Sequence, residues 1–254
     1  MTRSFLIRGL LVGLLAGAVA FVVAHFLGEP SVASAIAVEE SGHAAEHAAG
    51  LVAEHTHGEE APLVSRGVQS SIGLLTALLL FGAALGGLFG IGAATAQGRL
   101  GRLGARATSA LLALAGFVTV SLVPFLKYPA NPPAVGDPSS IGRRSGLYFA
   151  MLALSVLFAV AAVWVARRLR TASTWNRCLA GVGTFVVLVG VAYAVLPAVD
   201  ELGAFPADVL WRFRLGSLAT QLAVWTTLGL AFGALTERAA ASPAVAGDRP
   251  LAAV

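Results

Sequence analysis

Charge is what this sequence has least of. Asp, Glu, Lys and Arg make up 12 % of its 254 residues, about half the share of an ordinary soluble domain. Hydrophobic residues make up 57 %, and the mean hydropathy is +0.82. One water-soluble core cannot bury that much apolar surface, which excludes a soluble enzyme or binding module. Cysteine is nearly absent too. The single Cys178 excludes an intramolecular disulfide and any thiolate-rich metal site. No G-x-x-x-x-G-K-[ST] phosphate loop occurs. The chain is therefore read as a non-enzyme whose energy, if it moves anything, comes from a gradient or a partner. Lysine appears once, as Lys127, and the other basic residues are all Arg, a bias that suits a GC-rich bacterial genome.

The charges that remain avoid six apolar runs, about Leu10–Leu27, Ile72–Ala93, Ala107–Leu126, Leu147–Ala166, Cys178–Leu196 and Leu215–Leu235. Each reaches the roughly 18 residues that mark a membrane-spanning helix. The expected fold is all-α: a polytopic integral membrane bundle of about six transmembrane helices, a single domain over residues 1–254. One long polar insertion, residues 28–67, is expected as an outer His/Glu-rich loop between the first two helices. Arg3, Arg8 and the later Ala33-Ser34-Ala35 also fit a cleaved signal peptide, which would leave five spans. The length of the first run favours a retained helix. So do Gly9, Gly13 and Gly17, whose four-residue spacing puts small residues on one face for close packing.

Charge placement predicts orientation. The N-terminus, 97–106, 167–177 and the C-terminal tail hold eleven basic residues against Glu237 and Asp248. The alternate segments hold six basic residues against eleven acidic ones. The basic set is expected in the cytoplasm, with both termini inside. The net charge of +4 then reports membrane orientation, and lipid rather than nucleic acid is the expected partner. Tyr128, Tyr148 and Trp211 fall near the outer interface of this topology, Trp164 and Trp175 near the inner one.

All five histidines lie toward the outer side. His25 ends the first run, and Glu29 follows it. His43, His47, His55 and His57 lie in the polar insertion among Glu39, Glu40, Glu46, Glu54, Glu59 and Glu60. Neutral imidazole ligates divalent first-row metals, and carboxylates add charge and oxygen donors. On a helix, Glu39, His43 and His47 share one face with Glu46 beside them. The metal-binding candidates are thus His43, Glu46, His47, His55, His57, His25 and Glu29; the alternative is a solvated polar loop. His43-Ala44-Ala45-Glu46-His47 also matches the H-x-x-E-H of some zinc proteases, without a third ligand or a folded domain around it.

No acidic or basic residue lies near the middle of any run. Hydroxyls and one amide remain there, among them Thr119, Ser121, Thr184, Thr220 and Gln221. Bonds to their own helix backbone are the simplest use for the hydroxyls. Two connections stand out instead. One runs from Pro124 to Pro138 and is stiffened by its prolines. The other runs from Phe205 to Arg214. Lys127, Asn131, Asp137, Asp200, Glu201, Asp208, Arg212 and Arg214 are expected to form a rigid outer vestibule from them. Arg143, Arg144, Arg212 and Arg214 would pair with Asp137, Asp208, Asp200 or Glu201.

Pro124–Pro138 and Phe205–Ala219 resemble signature segments of the CbtA family of cobalt transporter subunits. Gly28-Glu29-Pro30, Ala35-Ile36-Ala37 and Glu39-Glu40 add to the likeness, which covers nearly the whole chain. The resemblance implies about five spans, cobalt import for vitamin B12 synthesis, and a small histidine-rich membrane partner, CbtB. It implies cobalt as transported cargo, with no permanently bound cofactor. The residues alone point only to an outward-facing divalent-cation site in a bacterial inner membrane. A nickel or zinc transporter, or a metal sensor or assembly factor without transport, has the same features.

Overall fold

The computed structural model describes residues 2–48, 64–99, 103–133, 135–136, 138–169, 171–199, 203 and 205–241. Six of its helices are long and apolar enough to cross a membrane. They are α1 (Thr2–Gly42), α2 (Arg66–Ala96), α3 (Ala105–Lys127), α4 (Ile141–Arg168), α5 (Thr174–Val195) and α6 (Ala207–Ala241). No strand occurs among the described residues. Each expected apolar run lies in one of these helices, apart from Leu196, which caps α5. The largest difference is at α1. Its helical backbone continues beyond the expected span, through Glu29–Ala48, so the first half of the insertion expected as a loop is helical.

Three π-helical turns interrupt the helices, at Ala24–Gly28 in α1, Gln69–Gly73 in α2 and Phe117–Leu122 in α3. Two have a cause in the sequence. Proline lacks a backbone N–H, and its ring clashes with the carbonyl four residues back. Pro30 places that conflict at Phe26, and Pro124 places it at Val120, each inside a π turn. Widening the turn relieves the clash. In the one at Gln69–Gly73, Ser70 and Ser71 turn their hydroxyls back onto the Gly67 carbonyl and compete with the regular ladder.

The chain divides into two compact units, and α1, α2, α3 and α6 contribute to both. The first comprises residues 1–19, 77–114 and 224–254. In it α1 and α2 meet glycine on glycine. A Cβ added at Gly9 would lie 2.2 Å from the Gly86 carbonyl oxygen, at Gly13 2.1 Å from that of Gly82, and at Gly17 2.3 Å from that of Leu78. The hydrogen in each place therefore points at a facing carbonyl, the geometry of a Cα–H···O contact. Gly229 and Gly233 of α6 do similar work against Ala113 and Arg106 of α3, and Arg106 pairs with Glu237. Phe232 is fully buried, with its ring centroid 5.3 Å from Phe89 and 5.9 Å from Phe5.

The second unit comprises residues 20–76 and 115–223. Here α4 and α5 form a hairpin. Ser173 caps α5 by accepting from the Asn176 amide at 3.2 Å, and the Arg177 guanidinium donates to the Ala166 carbonyl of α4 at 3.1 Å. The hairpin packs on the end of α3 through Val123, Tyr128, Met151 and Ala192. Three polar bonds pin that end. Lys127 Nζ donates to the Tyr193 carbonyl at 2.9 Å, the Tyr128 hydroxyl to the Pro197 carbonyl at 2.8 Å, and the Tyr193 hydroxyl to the Val123 carbonyl. Gly216 of α6 packs on the first π turn, where an added Cβ would lie 2.9 Å from the Leu27 carbonyl oxygen.

Candidate functional site

A cavity of about 1030 Å³ opens in the second unit. Its rim is the α3–α4 connection, residues 128–136, where Pro129, Pro132 and Pro133 limit backbone movement. Its walls are α3, the first turns of α4, one stripe of α6, and Glu39 from the extension of α1. Arg214, Ser217 and Gln221 recur at three- and four-residue steps and so present one polar stripe of α6. Gln221 is held by Ser121, whose hydroxyl donates to its side-chain carbonyl at 3.1 Å across the helices. Ser121 sits on the third π turn, which links that irregularity to the cavity.

Arg214 is tied to the rim. Its Nε donates to the Ala130 carbonyl at 3.3 Å and its Nη2 to Asn131 Oδ1 at 3.0 Å. Arg144 donates to the Val135 carbonyl at 3.0 Å. Carboxylate partners were expected for these arginines; those of Arg214 are neutral oxygens of the proline-rich rim. Tyr128 lines the same cavity, and burial pushes its phenol up from the ordinary tyrosine range while Arg143 opposes the shift.

Of the expected vestibule, the cavity brings together Asn131 and Arg214. Lys127 is turned onto the Tyr193 carbonyl and does not line it. Asp208 and Arg212 form an i,i+4 pair at 3.8 Å on exposed α6 surface, away from the cavity, where ion pairs contribute little. Asp137, Asp200 and Glu201 lie outside the described residues.

The metal candidates divide similarly. His55 and His57 lie outside the described residues. His43, Glu46 and His47 have helical backbones, and their side chains lie outside the description. His25 stands in the first π turn, stacked on Phe21 at 5.5 Å, with Nδ1 3.1 Å from the Ser70 carbonyl oxygen. A carbonyl only accepts, so Nδ1 carries the proton, and Nε2 of the neutral ring keeps its lone pair. Metal-binding histidines are commonly oriented this way. Glu29 pairs with Arg66 across the same helices. Among the described residues no three His, Cys, Asp or Glu side chains cluster as a metal site.

Glu39, Arg144 and Tyr128 also line the cavity but were not among the site residues expected from sequence. Glu39 had the signal of sharing a helical face with His43 and His47, Arg144 that of an arginine expected to pair with an outer carboxylate, and Tyr128 only its place beside a proline-rich loop. The hydroxyls Thr119, Thr184 and Thr220 are bonded to carbonyls of their own helices.

A helical bundle whose proline-rich connection walls a cavity with one polar stripe is compatible with many membrane activities, and family membership decides between them. The chain matches the family described as "Probable cobalt transporter subunit (CbtA)" over residues 2–237. It belongs to the CbtA family. No curated protein and no solved structure matches it. As a CbtA member with six apolar helices, it is a multi-pass membrane protein of a cobalt transporter family. The match spans all six helices and both segments that carried the resemblance, Pro124–Pro138 and Phe205–Ala219.

Proposed function

We propose that this CbtA protein takes up cobalt, or a related divalent cation, across the bacterial cytoplasmic membrane, and that the cavity is its outer vestibule. Both termini are cytoplasmic in this reading, which follows from the arginine-rich segments between the spans. The His/Glu-rich insertion then faces outward and collects the cation. One observation carries the reading. Glu39, on the same continuous helix that leads into His43, Glu46 and His47, lines the cavity formed by the proline-rich connection and α6. That helix is a direct route from the histidine-rich segment to the cavity. His25, with Nε2 available and Glu29 four residues on, is a second ligand position at the π turn. A small histidine-rich membrane subunit of the CbtB kind is the proposed partner; the family description supports it only to the extent of the word "subunit".

The test is labelled cobalt uptake in cells lacking other cobalt importers, with and without the chain. Uptake should depend on the chain, and Glu39→Gln should lower it several-fold at unchanged membrane abundance. Uptake indifferent to the chain sinks the transport reading. A fall in abundance matching the fall in uptake removes Glu39 from the pathway.

A further inference from the structure

Two charges of opposite sign face the cavity without meeting. Glu39 has no hydrogen-bond or ion-pair partner among the described residues, and both bonds of Arg214 go to neutral oxygens. A guanidinium has five N–H donors, so Arg214 keeps three beyond those two bonds. A bare divalent cation would be drawn to Glu39 and repelled by Arg214. At about 1030 Å³ the cavity is also of the size that takes small organic ligands, roughly 300–1,000 Å³.

We propose that the cavity receives the cation as a complex with a polycarboxylate anion. Glu39 replaces a water on the metal, and Arg214, held by Asn131, binds a carboxylate that the metal leaves free. The complex presents both charges that the cavity asks for, and Arg is suited to a carboxylate because its N–H groups form parallel charge-assisted bonds. This proposal rests on the transport reading and names the form of its substrate.

The full chain in phosphatidylcholine nanodiscs tests it, with His43, His47, His55 and His57 replaced by Ala so that only the cavity is read, and with Co²⁺ alone, citrate alone and 1:1 cobalt–citrate as probes, each labelled. Cobalt–citrate should bind about tenfold or more tighter than Co²⁺, as one desolvated charge-assisted contact implies. Cobalt and citrate should be retained together. Arg214→Gln should bring the affinity ratio near one. Asn131→Asp should do the same while leaving the guanidinium in place, because the new carboxylate neutralises it. Equal affinity for Co²⁺ and cobalt–citrate overturns the proposal. So does citrate that strips cobalt equally from the wild type and Arg214→Gln. Displacement of labelled citrate by adding phosphatidylglycerol to the disc overturns it too, since the oxyanion site then belongs to a lipid phosphate. Chain-dependent cobalt uptake without citrate enhancement sinks only the chelate. Absence of that uptake sinks the transport reading itself.

Discussion

Gly13→Ala tests the closest glycine approach between helices among the described residues. The added Cβ would lie 2.1 Å from the Gly82 carbonyl oxygen, 2.8 Å from its carbon and 3.0 Å from Ala83 Cα. All three are backbone atoms, so no side chain can swing aside. Ordinary contact begins near 3.4 Å, so α1 and α2 must part by about 1 Å, on simple geometry. Parting also loosens the neighbouring contacts at Gly9–Gly86 and Gly17–Leu78. Overpacking a tight contact costs about 1–3 kcal/mol, and loss of facing Cα–H···O contacts adds about 0.5–1 kcal/mol each. A destabilisation of about 3 kcal/mol or more is expected. Gly183→Ala and Gly190→Ala on α5 are the controls, because a Cβ there meets nothing within 4 Å. Those two should change stability by less than about 0.5 kcal/mol. The assay is reversible unfolding in bicelles by added SDS, followed by circular dichroism. Gly13→Ala as stable as the two controls would refute the close approach of α1 and α2.

A reporter active only outside the cytoplasm should give signal when fused at Ser65 and none at Gly104 or Ala172; signal at Gly104 would overturn the proposed orientation. Replacing His43, His47, His55 and His57 with Ala should weaken Co²⁺ binding to the full chain at pH 7.5 and change it little at pH 5.5. Imidazole ligates only when neutral, and its ordinary pKa is about 6.5. Equal loss at both pH values would assign the affinity to carboxylates. Tyr128→Phe removes a buried hydrogen bond to the Pro197 carbonyl and should cost about 1 kcal/mol in the same SDS unfolding, with no loss measured if that bond is not formed.

The six helices were legible because lipid demands length and apolarity of each spanning segment, and both are local properties of the chain. The close packing of α1 was legible in Gly9, Gly13 and Gly17. Their partners Gly82, Gly86 and Gly90 carry the same spacing, but nothing in the sequence says that these two stripes face each other. The extension of α1 through Ala48 was misread as a loop because its Ala, Val and Ile are broken up by Glu, Ser and His, and hydropathy does not separate a solvated helix from a solvated coil. The π turns had a readable cause in Pro30 and Pro124, although Gln69–Gly73 has no proline behind it.

Charge by segment, the apolar runs, the glycine spacing and the rigidity of the 129–133 connection are one-dimensional facts, and the sequence by itself determined them. The tertiary structure alone decided which charges share a cavity. Arg214 was expected to meet a carboxylate, since opposite charges attract at any spacing; in the fold it bonds the Ala130 carbonyl and the Asn131 side-chain oxygen. Asp208 and Lys127 lie close in sequence to cavity residues yet point elsewhere, because a helix turns each successive side chain by about 100°. Glu39 and Arg214 are 175 positions apart in the chain. The packing of α6 against the first π turn, where Gly216 meets the Leu27 carbonyl, joins the helices that carry them beside the cavity.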